Sequence, residues 1–449
     1  MQFTSTQYFA SVYPFDDLVA FLTRHGDELC RREFAVEGDF YKRYVRARDA
    51  ADLKRQVLAV PGLKSFHVGA VHDAPVAKRT VLKTLPTPTP PPPEHLHMAP
   101  LYDHDSARLV ESFGTMRVHR IEREKNAKPS VPVRCELRFD VDLTDYDMLM
   151  LTTPAGDVDV EACDRAWPVC AAGLVILQTL LTNAFGYQQY ICVFSGRRGA
   201  HLYVCDESAM GLSDQARTAI VGFLDHTLTK DKKRGTSSLR SFMVSNKLQD
   251  YVRSVFETEL VSKMGMLDSI DNRLAFVERL DLHSLDLVDV VDKASGIEAW
   301  KYLQSKLASA PCAWMRERLD ETVLAYVWPR IDANVTNHTN HLLKAPLVAH
   351  PKSGRVAVPM RVADCMAFQP AKAPTLSVFD DAAFKNSLVF LKPSSAMPAQ
   401  PRPKSQKRRR SRSRTPHHHN HNHNHNHNRS EGAEDLVDVE DLVPAGPLA

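Results

Sequence analysis

No run of 18 or more apolar residues occurs in the 449-residue chain, so no membrane-spanning helix and no membrane partner are predicted. The stretch Met1 to Phe15 lacks a basic segment leading into an apolar one, which argues against a secretory signal. A disulfide framework is missing as well. Eight cysteines are scattered at positions 30, 135, 163, 170, 192, 205, 312 and 365, most of them among apolar neighbours. That distribution suits buried thiols in a reducing compartment. Bulk charge is small, at +3, but it is divided unevenly. Eight basic and no acidic residues lie between Arg402 and Arg414, and from Arg429 onward one basic residue faces six acidic ones. The rest of the chain is neutral overall, so any nucleic-acid binding has to come from local patches. What the chain does have is length and 43% hydrophobic residues, enough for two or three domains with a real core.

Periodicity gives the organisation. Phe15, Leu18, Val19 and Leu22 recur at helical spacing, and Leu29 extends the same face. Residues 32–36 read as a strand, Gly38-Asp39 as a turn and 40–45 as the returning strand. A short helix over 50–60 and a strand over 66–71 follow. Residues 74–130 form a proline-rich insertion loop whose core, Thr87 to Pro93, is extended polyproline, a spacer before it is a docking site. A buried helix is predicted over 164–182 and two strands over 190–194 and 200–205. Helical periodicity then runs from 208 to 326, with stretches at 257–266 and 297–307, and the core resumes over 327–392 with a strand at 354–359. Residues 393–449 are Pro/Ser/Arg-rich, then alternate His and Asn, then turn acidic; that composition predicts disorder.

One strand stands out. From Val133 to Thr144 apolar and polar residues alternate strictly, which predicts a half-buried strand with its polar positions opposite the core. Asp140 and Asp142 then share the polar face. Adjacent carboxylates repel unless a cation lies between them, and Mg²⁺ takes carboxylate and phosphate oxygens together. A solvated acidic face accounts equally well for an isolated Asp-x-Asp. Ser195-Gly-Arg197-Arg198-Gly-Ala-His201 adds exposed amides and two guanidinium forks, a phosphate clamp or an ordinary basic hairpin. Pro329-Arg-Ile-Asp332, Asn340-His-Leu-Leu-Lys344 and His350 offer a third carboxylate and further cationic donors, or a capping aspartate and an exposed basic loop. Taken together, three carboxylates surrounded by Arg, Lys and His suit nucleotidyl transfer assisted by two metals.

Leu137-Arg-Phe-Asp-Val-Asp-Leu-Thr-Asp-Tyr-Asp147, Val193-Phe-Ser-Gly-Arg-Arg-Gly-Ala-His-Leu-Tyr-Val-Cys-Asp-Glu207, and Pro329 to Asp332 with Asn340 to Lys344 occur in an order that resembles the catalytic small subunit of archaeo-eukaryotic DNA primase, the eukaryotic form above all. The resemblance covers roughly residues 8 to 390. It implies an α+β (mixed α/β) primase catalytic core on mixed β-sheets: 1–207 as its first part, an inserted α-helical subdomain over 208–326, and 327–392 as its second part. It implies that Asp140, Asp142 and Asp332 are catalytic and hold two Mg²⁺ or Mn²⁺ ions. It places Ser195, Arg197, Arg198, His201, Lys344 and His350 against the incoming nucleotide, with Glu33 and Arg43, at a slightly shortened spacing, as a further nucleotide-binding pair. The implied activity is template-directed synthesis of short RNA primers from NTPs in DNA replication. Its implied partners are a primase large subunit, the DNA polymerase alpha complex and single-stranded DNA template. A primase-polymerase for damage tolerance and a non-catalytic assembly subunit are the alternatives. Eukaryotic relatives carry four clustered cysteines binding zinc after the acidic strand. Here that region offers Cys163 and Cys170, and Cys163-Asp-Arg-Ala166-Trp167 has Ala166 where a second cysteine would stand. A closed tetrahedral site needs four ligands, so structural zinc is expected to be absent, with apolar packing around Trp167 instead. Lys404 to Arg414 reads as a nuclear localisation signal or an electrostatic arm.

Overall fold

A computed structural model of the chain describes residues 2–77, 130–146, 148–149, 151–153, 155–228, 248–282 and 287–391. The polyproline segment and the basic, His/Asn and acidic tail therefore lie outside the described residues. Among those described, two sheets form. The first contains β1 (Arg32–Glu37), β2 (Tyr41–Val45), β3 (Ser65–His72) and β4 (Pro132–Arg134) in the order β2-β1-β3-β4, and β8 (Leu343–Lys344) also pairs with β3. The second contains β5 (Leu137–Asp142), β6 (Tyr190–Phe194), β7 (Gly199–Val204) and β9 (Pro359–Met360) in the order β5-β7-β6-β9. The α+β class holds. Every strand pairing described is antiparallel, however, where mixed sheets were expected. Tight turns join β1 to β2 and β6 to β7, and antiparallel strands are the ones a tight turn can join.

Helices α1 (Ser5–Ser11), α2 (Phe15–Leu22) and α3 (Ala50–Leu58) belong to the first sheet. Thr4 and Gln7 start α1 with a reciprocal capping box, and the Asp49 carboxylate caps α3. Their apolar faces, with Phe15, Leu18, Leu53 and Val57, share one core with Phe34, Val36 and Phe66 of the strands. Leu29 does not extend α2; it opens a 3₁₀ turn leading into β1.

Helix α4 (Val160–Phe185) connects β5 to β6. Asp159 caps its start and Gly186, at φ 75°, ends it in the left-handed conformation that glycine tolerates best. It is long and apolar enough by length and composition to cross a membrane, yet 56% of its apolar window is buried inside the protein. Its residues Trp167, Leu174 and Leu177 share a core with Phe139, Phe194 and Leu202 of the second sheet and with Phe256, Phe276, Trp300 and Tyr326. The last four come from helical segments between 249 and 327. Helix Gln249–Val255 continues as a π-helix, Phe256–Lys263, in place of the regular helix expected there.

Two strand expectations need correction. The alternating run from Val133 does not form one strand. It breaks at Cys135-Glu136, leaving β4 in the first sheet and β5 in the second. Nor does the middle of its polar face meet water: Glu136 and Arg138 are 2% and 1% exposed. Arg32 of β1 donates to both Glu136 oxygens, at 2.9 and 3.2 Å, and Arg138 donates to the Val68 carbonyl of β3 at 3.1 Å. At Glu136 and Arg138 the polar face is thus an interface between sheets, held by buried charge. Of the expected strand over 354–359 only Pro359 falls in a strand, β9, while Arg355 and Val356 make isolated bridges. Gly354 has φ 68° and His350 N–H donates to Arg355 O at 2.8 Å, so the chain closes a turn of its own there.

Candidate active site

Beyond Arg138 the acidic face of β5 opens. Asp140 and Asp142 are 30% and 27% exposed and line a cavity of about 250 Å³. β7 lies beside them, with Asp140 opposite His201 and Asp142 opposite Gly199. The strands meet so closely here that a β-carbon on Gly199 would lie 2.1 Å from the Val141 carbonyl oxygen. The Ser195–Gly199 turn is closed by Ser195 N–H donating to Gly199 O at 2.9 Å. Gly196 has φ 89°, and a β-carbon on it would sit 2.8 Å from both Arg355 O and His350 Cβ. The basic turn and the His350 loop are therefore packed backbone to backbone. Ser353 Oγ–H adds a 2.6 Å bond to Gly196 O, and Arg355 anchors the loop to α4 through two 2.8 Å bonds to the Asp164 carboxylate.

The same cavity is lined by Ser195, Arg197, Arg198, His201, Lys344 and His350. Eight of the residues singled out from sequence thus meet in one place. Asp332 does not line the cavity but abuts it, exposed, with its N–H donating to Asp140 O at 3.0 Å. Ile331 bridges Val141, which brings the Pro329–Asp332 motif alongside β5. Glu33 and Arg43 also lie off the cavity. They form a two-bond pair at 3.0 and 3.3 Å, and Arg43 reaches the Asn340 carbonyl at 3.5 Å. One lining residue was not read from sequence. His67, on β3, enters the wall because β8 pairs with β3 and sets Lys344 opposite it.

The electrostatics are polarised. Burial, then Asp142, Asp332 and Asp145, push the Asp140 carboxyl up to about 7. Burial and then the Lys344 charge hold His201 and His350 down at about 3 and His67 at about 4. His201 Nε2 is 3.7 Å from Asp140 Oδ1, yet a histidine so depressed is neutral at physiological pH, and the contact is no ion pair. Its Nδ1 is buried with no hydrogen-bond partner among the described residues. Burial also lowers Lys344 to about 8. Among the carboxylates, Asp142 Oδ2 accepts from Arg198 Nε at 2.7 Å and Asp332 Oδ1 from Asn334 N–H at 2.9 Å. Among the described residues no three His, Cys, Asp or Glu side chains already enclose a metal-sized gap. The acidic side of the cavity thus has Asp142 paired with Arg198 and, among the described residues, no ion-pair partner for Asp332, while Arg197 and Lys344 carry further positive charge into the same cavity. Trp167, beside Cys163, is buried against Phe194 and Phe368, and its Nε1–H donates to Cys365 O at 2.7 Å.

A family model described as DNA primase small subunit matches residues 139–362, a span holding every cavity-lining residue except His67. A DNA primase small subunit of Schizosaccharomyces pombe is 26% identical over 407 residues, 86% of this chain and 78% of that protein. The one from Saccharomyces cerevisiae is 27% identical over 413 residues, 86% of each. The Drosophila melanogaster protein of the same name is 31% identical over 266 residues, 55% of this chain and 60% of its own length.

Proposed function

The chain belongs to the DNA primase small subunit family, of eukaryotic type, and from that membership we propose that it joins ribonucleotides into short RNA primers on single-stranded DNA by nucleotidyl transfer. One observation carries the reading: Asp140 and Asp142 face Arg197, Arg198, Lys344 and His350 across a single cavity, with Asp332 against its acidic side. Three carboxylates supply hard oxygen donors, and the raised Asp140 carboxyl marks a place where positive charge is wanted. Asp140, Asp142 and Asp332 would hold Mg²⁺ or Mn²⁺. When bound, such ions neutralise charge on the triphosphate and on the attacking hydroxyl. The rest falls to the chain's own side chains. Arg197 and Lys344 have no ion-pair partner among the described residues and are free to take phosphate oxygens. Arg198 can exchange Asp142 for a phosphate. The neutral His201 and His350 donate hydrogen bonds without adding charge. Positioning and charge stabilisation then provide the rate, with no protein nucleophile.

In this proposal a large subunit and the DNA polymerase alpha complex are the partners, and the Lys404–Arg414 run directs the chain to the nucleus. The test is primer synthesis on single-stranded template. Asp140→Asn and Asp142→Asn should each abolish dinucleotide formation, and for Asp140→Asn, which removes a like charge without breaking an ion pair, the melting temperature should stay the same or rise. Synthesis persisting at wild-type rate would overturn the assignment. Equal initiation with deoxynucleotides would favour a primase-polymerase.

A further inference from the structure

Lys344 and His350 both reach the cavity, but the segment between them has little secondary structure. Leu347 is fully buried with φ 65°, a left-handed conformation that disfavours a leucine and persists only where the surroundings impose it. Pro346, before it, has no N–H to donate. Backbone bonds hold one side of this segment, with Leu347 N–H donating to Ala357 O at 2.7 Å and Ala357 N–H to Val348 O at 3.0 Å, and tyrosine hydroxyls hold other carbonyls of the segment. Tyr13 O–H donates to Pro346 O and Tyr8 O–H to Leu347 O, both at 2.7 Å, and Tyr203 O–H lies 3.4 Å from Lys344 O. Two of the three come from the N-terminal end of the chain, more than 300 residues away in sequence. The third sits on β7, two residues past His201.

The rings are locked. Tyr8 is fully buried, with ring contacts to Phe9 and Phe384. Tyr13 packs on Phe15 at 4.7 Å and Phe66 at 5.2 Å between centroids. Each hydroxyl therefore has one available position, and burial pushes both phenols well above their usual range, so neither ionises. A fixed donor on a carbonyl in a strained turn sets where the next side chain points.

We propose that Tyr8 and Tyr13, with Tyr203 in support, are positioning residues that hold the Lys344–His350 segment in the shape that grips a triphosphate. This rests on the nucleotide-binding reading of Lys344 given above. The hydroxyls touch no substrate; they act through the backbone.

The experiment uses the full chain in primer synthesis, with KM and kcat measured for a ribonucleoside triphosphate in the presence of MgCl₂. Tyr8→Phe and Tyr13→Phe keep the ring packing and remove one donor each. Each should raise KM about two- to threefold and the double variant about five- to tenfold, with kcat within about twofold. Tyr203→Phe, with the longest bond, should change least. Lys344→Ala is the reference arm. If it leaves nucleotide KM unchanged, the binding reading fails and the positioning proposal falls with it. If Lys344→Ala raises KM while the double Tyr→Phe variant does not, positioning alone is overturned. A double variant that loses kcat in step with its folded fraction, at unchanged KM, likewise refutes it and leaves the tyrosines as packing.

Discussion

Replacing Glu136 by glutamine removes one charge and almost no volume from the seam between the two sheets. In the wild type, both Glu136 oxygens accept from Arg32, and Arg24 approaches one of them at 3.3 Å. Arg138 stands two residues along the same face, and Arg217 donates to the Glu136 and Cys135 carbonyls. Burial alone would raise the Glu136 carboxyl; Arg32, Arg24 and Arg138 outweigh it and hold the group well below the usual carboxylate range. In Glu136→Gln two guanidinium groups remain buried without a counter-charge. Removing one partner of a buried ion pair costs about 3–5 kcal/mol. For a chain of this size that lowers the melting temperature by roughly 5–15 °C, since 1 kcal/mol shifts it about 2–4 °C in domains of 150–250 residues and less in larger ones. The pH dependence adds a second signature. The folded state releases the Glu136 proton more readily than the unfolded chain does. Its stabilising contribution is therefore complete above the unfolded value near 4.5 and is lost as pH falls below it toward the folded value. Calorimetric melts of wild type and variant from pH 7 to pH 3 should converge as pH drops. A variant within about 2 °C of wild type at pH 7, or a gap that stays constant on acidification, would refute the account of the seam.

Other substitutions test neighbouring steps. Gly199→Ala drives a β-carbon to 2.1 Å from Val141 O, so β7 must withdraw from β5; a loss of about 1–3 kcal/mol in denaturant titration should come with a much larger loss of primer synthesis. Arg355→Lys removes the paired 2.8 Å contacts to Asp164 and should raise nucleotide KM severalfold at nearly constant melting temperature, because it frees the loop bearing His350. Trp167→Phe keeps the aromatic contacts but removes the shorter of two hydrogen bonds to the Cys365 carbonyl, leaving Phe368 N–H at 3.3 Å, at about 0.5–1.5 kcal/mol, whereas Trp167→Ala opens a cavity and should cost about 3–5 kcal/mol by the same titration.

Local pattern carried much of the architecture. Helical spacing located α2 and α3, the runs on either side of the Ser195–Gly199 turn located β6 and β7, and the charged motifs located most of the cavity wall. What local pattern could not carry was decided by distant partners. Alternation from Val133 to Thr144 continues through Glu136 as if nothing happened there, because the break comes from Arg32 on another sheet. His67 looks like one polar residue in an apolar strand until β8 sets Lys344 opposite it. The leucine at 347 has no signal of its own for a left-handed turn; tyrosines at 8 and 13 help impose it. Asp332 was legible as a third carboxylate or a capping aspartate, but its place against Asp140 depends on the Ile331–Val141 bridge.

The addition of β8 to a sheet otherwise built from β1–β4 has a consequence for how the protein is made. A ribosome delivers Tyr8 339 residues ahead of Leu347, its hydrogen-bond partner. At about 5–20 residues per second, that interval is roughly 17–70 s. During it β3 lacks one neighbour, β6 lacks β9, and the basic turn lacks the loop it packs against. The cavity is therefore among the later features to appear in a nascent chain. An unfinished or truncated product presents open strand edges at β3 and β6, the kind of edge that templates aggregation.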